Sequence, residues 1–385
     1  MDVMLYSFVL THLMNVFGMS KDTAGLLNSL TLGASAIGGF FFGVLADRIG
    51  RTRALMASIL VYSISSAACG FSHSIPQLAI FRFLLGLGMG GEWSTGAALI
   101  AEIWRAEHRG RALGLMQSAY AIGEALAAVV VLVVFPHLGW RAVFFVGVLP
   151  ALLVFWIYSG VPEPELWKNR PKESKQGVLE QLLKVIRRLL QKDVFRNGLL
   201  ATTMNACGMF GYWGLFTWIP GYLSLPVSKG GRGLSLVLGT TFYLVLSPGK
   251  WLGYASFGFF ADAFGRRKPY FTYLLIAAIL VPLYGIIRSP LWLLFLGPFV
   301  AFFGTGFFSG YAAIASELFP GEIRAAAMGL SYNLGRGLSA AAPFAVGAIA
   351  TRFGFFPGFL LLAGAFLAAA LLALLLPETR GRQLT

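Results

Sequence analysis

Five charged residues stand where charge is costly. Asp2, Glu92 and Glu124 lie inside the apolar stretches "MDVMLYSF", "GLGMGGEW" and "QSAYAIGEALAA", and Lys250 and Arg336 lie inside "LSPGKWLGY" and "SYNLGRGLSAAAP". A charge at the centre of a bilayer costs roughly 2.5–3.5 kcal/mol on insertion scales, so such residues face a polar cavity or each other and mark ion or substrate pathways. The acids fall in the first half of the chain and the two cations in the second. A carboxylate taken out of water gains a proton more readily, which suits a proton carrier. A guanidinium grips a carboxylate through two parallel hydrogen bonds. Arg336 is therefore the leading candidate for holding an anion, with Tyr332 and Asn333 one helical turn away on its own face. The alternative for Arg336 is an interhelical ion pair.

The other candidates each have two readings. Glu124 shares a helix face with Gln117 and Tyr120, and either carries a proton or pairs with Arg336 or Lys250. Glu92 is a second proton-carrying candidate and Asp2 a third. Arg82 is ten residues from Glu92, about 15 Å along a helix, too far for direct contact on one helix. Lys250 follows Pro248 and Gly249, so a bend could turn it into a cavity, or it could snorkel to an interface. Asn205, Tyr212 and Trp213 are possible cavity contacts, whereas Trp218 fits an interfacial aromatic belt. His12 could relay a proton, although a lone His on an apolar helix more often packs. Gly86, Gly88 and Gly91 spell G-x-G-x-x-G, but a dinucleotide turn needs a strand before it and an acid about 20 residues on. Here the glycines sit inside one apolar segment and the next acid after Glu92 is Glu102. Gly86, Gly90 and Ser94 instead form a small-residue stripe for close helix packing, with Glu92 on a different face.

Composition sets what must position these residues. Hydrophobic residues make up 57% of the 385, charged residues only 12%, and the mean hydropathy is +0.74. Soluble domains carry about 25% charge, so most of this chain expects lipid. Twelve segments, from 1–17 to 355–376, are apolar enough to be read as spanning helices. Taking every second connection and both ends as cytoplasmic puts most of the 30 Lys and Arg on that side, leaving Lys21, Arg141, Lys229, Arg232, Arg288 and Arg352 on the other. The net charge of +14 thus reads as membrane topology and not as nucleic-acid binding. Cys69 and Cys207 suggest neither a disulfide framework nor a metal site. No phosphate-binding loop or catalytic signature is present, so neither ATP nor enzyme chemistry is expected.

The chain repeats itself. "GVLADRIGRTR" from Gly43 returns as "GFFADAFGRRK" from Gly258, and "AEIWRAEHRGRALGL" from Ala101 returns as "SELFPGEIRAAAMGL" from Ser316, both at an offset of 215 residues. One offset linking two motifs implies two parallel six-helix halves. Between them, Val178, Leu182, Ile186 and Leu189 share one face of a basic segment, read as an amphipathic helix on the inner membrane surface.

These motifs resemble those of the major facilitator superfamily. Gly43, Asp47, Arg48, Gly50, Arg51 and Arg53 match its loop motif, and Gly258, Asp262, Gly265, Arg266 and Arg267 keep the second copy. Arg82 with its following glycines, "PEPELW" from Pro162 and "PETRG" from Pro377 resemble further motifs of that superfamily. "GLGMGGEW", "RGRALGLMQSAYAIG" and "SYNLGRG" are most similar to the sialate/monocarboxylate:proton symporters, with aromatic-acid:proton symporters as near relatives.

The resemblance implies an all-α integral membrane protein with two six-helix bundles around a central cavity. The expected units are 1–165, a cytoplasmic linker over 166–195, and 196–385. The first helix, about 25 Å long at 1.5 Å per residue, is shorter than in the relatives, so a truncated or mis-assigned start is expected. The implied activity is proton-driven symport of a small organic anion, such as lactate or sialate, by rocker-switch alternating access. Aromatic-acid or neutral-sugar transport and a non-transporting membrane sensor are the alternatives. No cofactor, no nucleic acid and a monomer in the bacterial inner membrane are expected, with both termini cytoplasmic. Asp47 with Arg51 and Arg53, Asp262 with Arg266, Glu102 with Arg109, and Glu317 with Arg324 are expected to latch the halves at the cytoplasmic ends of helices, or else to be ordinary positive-inside charge.

Overall fold

The computed structural model describes residues 1–103, 106–168, 187–188, 190–319 and 324–379, and among them there is no strand. A chain in lipid must satisfy its backbone groups internally, and helices do so within one segment. The first half comprises α1 (Asp2–Phe17), α2 (Lys21–Ile49), α3 (Arg51–Cys69), α4 (Ile75–Ile103), α5 (Ala106–Val146), a 3₁₀ turn (Leu149–Leu152) and α6 (Leu153–Gly160). The second comprises α7 (Lys192–Ser224), α8 (Leu236–Phe264), α9 (Arg267–Ile286), α10 (Pro290–Leu318), α11 (Arg324–Ser339), α12 (Ala341–Phe353) and α13 (Phe355–Leu375). Helix α5 is broken at Gly139, which has φ 73° and lies three residues after Pro136, so one continuous assignment covers two expected spans. The span expected over 323–350 is likewise split, into α11 and α12. Of the amphipathic helix expected over 178–189, all but 187 and 188 lies outside the described residues.

Six segments among the described residues are long and apolar enough to cross a membrane, in α2, α3, α5, α9, α10 and α13. Helices α4 and α8, which carry Arg82, Glu92 and Lys250, are not among them. The outer surface is apolar: Phe155, Trp156, Phe259, Trp292 and Phe295 are each more than half exposed. A soluble protein does not leave such a surface in water. The chain is a multi-pass membrane protein.

Small residues set the packing within the first half. A Cβ on Gly86 would strike the carbonyl oxygen of Thr31, and one on Gly90 that of Ser35, while Gly38 meets Leu87 in the same way. The α2 and α4 backbones therefore touch along the stripe foreseen in the sequence; the side chain of Ser94 lies outside the described set. Between the halves, α2 packs on α11 and α12, α5 on α8, and α1 on α7.

The two ends of the bundle differ. At the end holding Lys21, the halves are tied together. Lys21 Nζ donates to the carbonyls of Lys229 (2.7 Å) and Ala350 (2.8 Å), Asn28 Nδ2 donates to Thr217 Oγ1 (2.7 Å), Phe344 N donates to Ser29 Oγ (3.1 Å), and Thr11 and Ser224 share a hydroxyl bond of 2.8 Å. At the other end, which carries the loop motifs, several charged contacts run within a half. Glu163 accepts from the amides of Thr52 and Arg53 (both 3.1 Å), and Glu378 from those of Arg266 (2.8 Å) and Arg267 (3.3 Å). Arg266 also pairs with Glu317 at 2.9 Å.

Candidate functional site

Three of the charges singled out in the sequence, Glu124, Lys250 and Arg336, lie between the halves, in two groups. The first is an ion pair. Glu124 of α5 and Lys250 of α8 are bonded to each other, with 1% and 0% of their surfaces exposed. Tyr212 OH donates to the second Glu124 oxygen at 3.0 Å, Lys250 Nζ donates to Tyr243 OH at 2.7 Å, and the ammonium lies 3.6 Å from the centre of the Phe216 ring. Pro248 lies inside α8, and Gly249 beside it abuts the Pro298 carbonyl of α10, leaving no room for a side chain. Lys250 does not snorkel, because its partner is a carboxylate from the other half. Of the readings left open for Glu124, the pair with Lys250 is the one formed in this structure.

The second group surrounds Arg336. The residue is 5% exposed, Nη2 donates to Tyr332 OH at 3.2 Å, and its Cζ is 5.0 Å from the centre of that ring. Its Nε finds no hydrogen-bond partner, and no carboxylate pairs with it among the described residues. A buried guanidinium without a counter-ion is costly, and anion binding would offset that cost. Tyr332 stacks on Trp93 of α4 with ring centres 4.2 Å apart, and Trp93 Nε1 donates to Gln117 Oε1 at 3.1 Å. Glu92, the residue before Trp93 on α4, is exposed. Tyr120 is half-buried and meets the Trp213 ring edge-on, with ring centres 6.5 Å apart. Asn333 is half-buried and faces Gly39 of α2.

The remaining candidates are placed apart. Asp2 is buried and accepts a bond from Ser66 Oγ at 2.9 Å. Asn205 is fully buried under Gly335, one residue before Arg336, and among the described residues its side chain bonds only to Met209 Sδ, at 3.7 Å. Arg82 is fully buried, meets Asn28 Oδ1 at 2.5 Å and covers the Tyr6 ring. His12 packs edge-on to Phe135. Trp218 is not in an interfacial belt: it is fully buried and donates to the Pro343 carbonyl at 2.8 Å. Of the latch residues, Arg51 is buried and Arg53 exposed. The side chains of Asp47, Glu102, Arg109, Asp262 and Arg324 lie outside the described set. Glu317 and Arg266, expected in separate clusters, meet each other within one half.

Sequence reasoning missed Trp93 and Tyr243, and named Tyr212 as a possible cavity contact without pairing it with Glu124. "GGEW" did place Trp93 beside a central acid, which was the available signal. Tyr243 is seven residues from Lys250, two turns along the same face.

Comparison with known proteins agrees with this architecture. The cis,cis-muconate transport protein of Acinetobacter baylyi is 32% identical over 369 residues, covering 95% of this chain and 87% of that protein. The sialic acid transporter NanX of Escherichia coli is 29% identical over 349 residues, covering 89% and 82%. Among solved structures, a D-xylose-proton symporter superposes with a TM-score of 0.78 at 20% identity, over 100% of this chain and 96% of that one. The family model of the Major Facilitator Superfamily matches residues 1–254 and 232–384, and so the chain belongs to that superfamily.

Proposed function

We propose that the protein is a proton-coupled symporter of a small organic carboxylate. Lactate, a sugar acid such as sialate, and an unsaturated or aromatic acid are the candidates. The observation that carries this reading is Arg336: a buried guanidinium, placed where the halves meet, with hydrogen-bonding capacity left over and no acid to take it among the described residues. The relatives named for muconate and sialic acid transport support an organic acid as cargo. Glu124 supports the coupling. Protonating it removes the charge that holds Lys250, and with it a contact between α5 and α8. Proton binding and inter-half movement are then linked, as a symporter requires. The ties at the Lys21 end fit a carrier closed on that side; with the positive-inside orientation, this is the inward-facing state. The carrier would work as a monomer in the bacterial inner membrane with no cofactor, both termini being cytoplasmic.

Uptake of radiolabelled carboxylates into proteoliposomes, with and without an acid gradient, tests the reading. Uptake should rise with the gradient, and Arg336→Gln should reduce it by at least about tenfold, the loss of one charge-assisted bidentate contact. Gradient-independent uptake would rule out symport. Unchanged affinity in Arg336→Gln would move the anion site elsewhere and favour a neutral sugar as cargo. Binding without flux would point to a sensor.

A further inference from the structure

The slot between Trp93 and Tyr332 has a shape that the anion site alone does not explain. These rings are the closest and most nearly parallel pair among the described residues, with centres 4.2 Å apart and planes 7° from each other. Aromatic pairs in proteins are edge-to-face or offset-stacked, and two pairs near this one are edge-to-face. Tyr120 meets Trp213 at 88°, and Tyr212 meets Phe308 at 83°.

Each ring is held in its plane from its own half. Trp93 is tethered to Gln117 of α5, and Tyr332 is tethered to Arg336, one turn along α11. The two rings belong to different halves, so movement of one half against the other changes the gap between them. The guanidinium of Arg336, with its unpartnered Nε, donates to the hydroxyl at the rim of the Tyr332 ring. Two parallel faces with a cation at one edge match a flat molecule that ends in a carboxylate.

We infer that Trp93 and Tyr332 form an aromatic clamp that selects planar, conjugated carboxylates, the acid on Arg336 and the flat body between the rings. This rests on the reading of Arg336 as the anion ligand and specifies its substrate class. Admitting the ligand widens the gap to about 7 Å, two van der Waals contacts of about 3.5 Å each. A saturated ring is thicker and offers no π-face, so it gains less at the same charge and carbon count. The stack seen here is the clamp closed on itself.

Benzoate and cyclohexanecarboxylate separate the possibilities, since they share charge and carbon skeleton and differ in flatness. Initial uptake of each, and of lactate, is measured in proteoliposomes under one acid gradient. Wild type should prefer benzoate over cyclohexanecarboxylate by about tenfold, the scale of added aromatic stacking on two faces. Trp93→Phe should keep that preference, and Trp93→Leu should bring the ratio close to one while eluting as the same monodisperse peak in detergent. A wild-type ratio near one, with carboxylates still taken up, overturns the clamp and leaves the anion site standing. A ratio that Trp93→Leu does not change also overturns it. Uptake of none of the acids overturns the anion-carrier reading and the clamp together.

Discussion

Glu124 and Lys250 sit on opposite halves of the molecule and neutralise each other with both side chains out of contact with solvent. Both carboxylate oxygens are engaged, one by Lys250 and one by Tyr212, and Tyr243 takes a further bond from the ammonium. Breaking such a pair strands one charge in an apolar site, whereas replacing both partners removes the problem.

Lys250→Met should therefore lower stability by about 3–5 kcal/mol, the cost of an uncompensated buried charge. The double variant Glu124→Gln with Lys250→Met should recover most of it. Thermal unfolding in detergent, followed by tryptophan fluorescence, measures both. The double variant should regain the apparent Tm and still fail to couple uptake to an acid gradient. If the double is no more stable than the worse single, the two residues are not energetically coupled.

Glu163 and Glu378, 215 positions apart, do the same task in the two halves. Each carboxylate accepts amide hydrogen bonds at the start of a helix, where backbone N–H groups lack partners and the helix dipole favours negative charge. Just ahead of each helix start is a glycine with positive φ, 111° at Gly50 and 89° at Gly265. Glu163→Ala and Glu378→Ala should each cost about 1–2 kcal/mol, the range for a lost N-terminal cap. Their effects should add, because the two sites lie in different halves. Gly265→Ala should be at least as damaging, since a Cβ there meets the Glu378 carboxylate at 2.6 Å. Equal stability of the single and double Glu variants would contradict independent caps.

How legible was this in advance? The helices follow from hydropathy, and the two halves from a repeat that keeps one offset across distant motifs. The central charges were legible because lipid makes each of them costly. Their pairing was not. A sequence places Glu124 and Lys250 on helices, but which cation meets which acid depends on how α5 lies against α8. Asn205 and Trp218 show the same limit. Both are polar-capable residues on α7, and both turned inward to pack, Asn205 beneath Gly335 and Trp218 onto the Pro343 carbonyl. Helical period gives a face; the neighbour that covers the face comes from the fold.

The glycine stripe makes a sharper packing prediction. Gly90→Val puts side-chain atoms where the Ser35 carbonyl already sits, while a methyl group placed on Gly96 would have its nearest neighbours at 3.9 and 4.0 Å. Gly90→Val should abolish a folded peak on gel filtration, and Gly96→Ala should express and transport like wild type. A folded Gly90→Val variant would mean that α2 and α4 can separate without loss of the bundle.

Closure at the Lys21 end can be trapped directly. Asn28 and Thr217 meet across the halves at 2.7 Å, both fully or nearly fully buried. In a background with Cys69 and Cys207 replaced by serine, Asn28→Cys combined with Thr217→Cys should form a disulfide on mild oxidation. Alternating access requires this end to open once per cycle, so the cross-link should stop uptake and a reductant should restore it. Binding from the motif end should survive the cross-link, which equilibrium binding in detergent measures. Full uptake with the bond intact, verified by gel shift after cleavage of the chain between the halves, would mean that the contact persists throughout the cycle and that these halves do not part at Asn28.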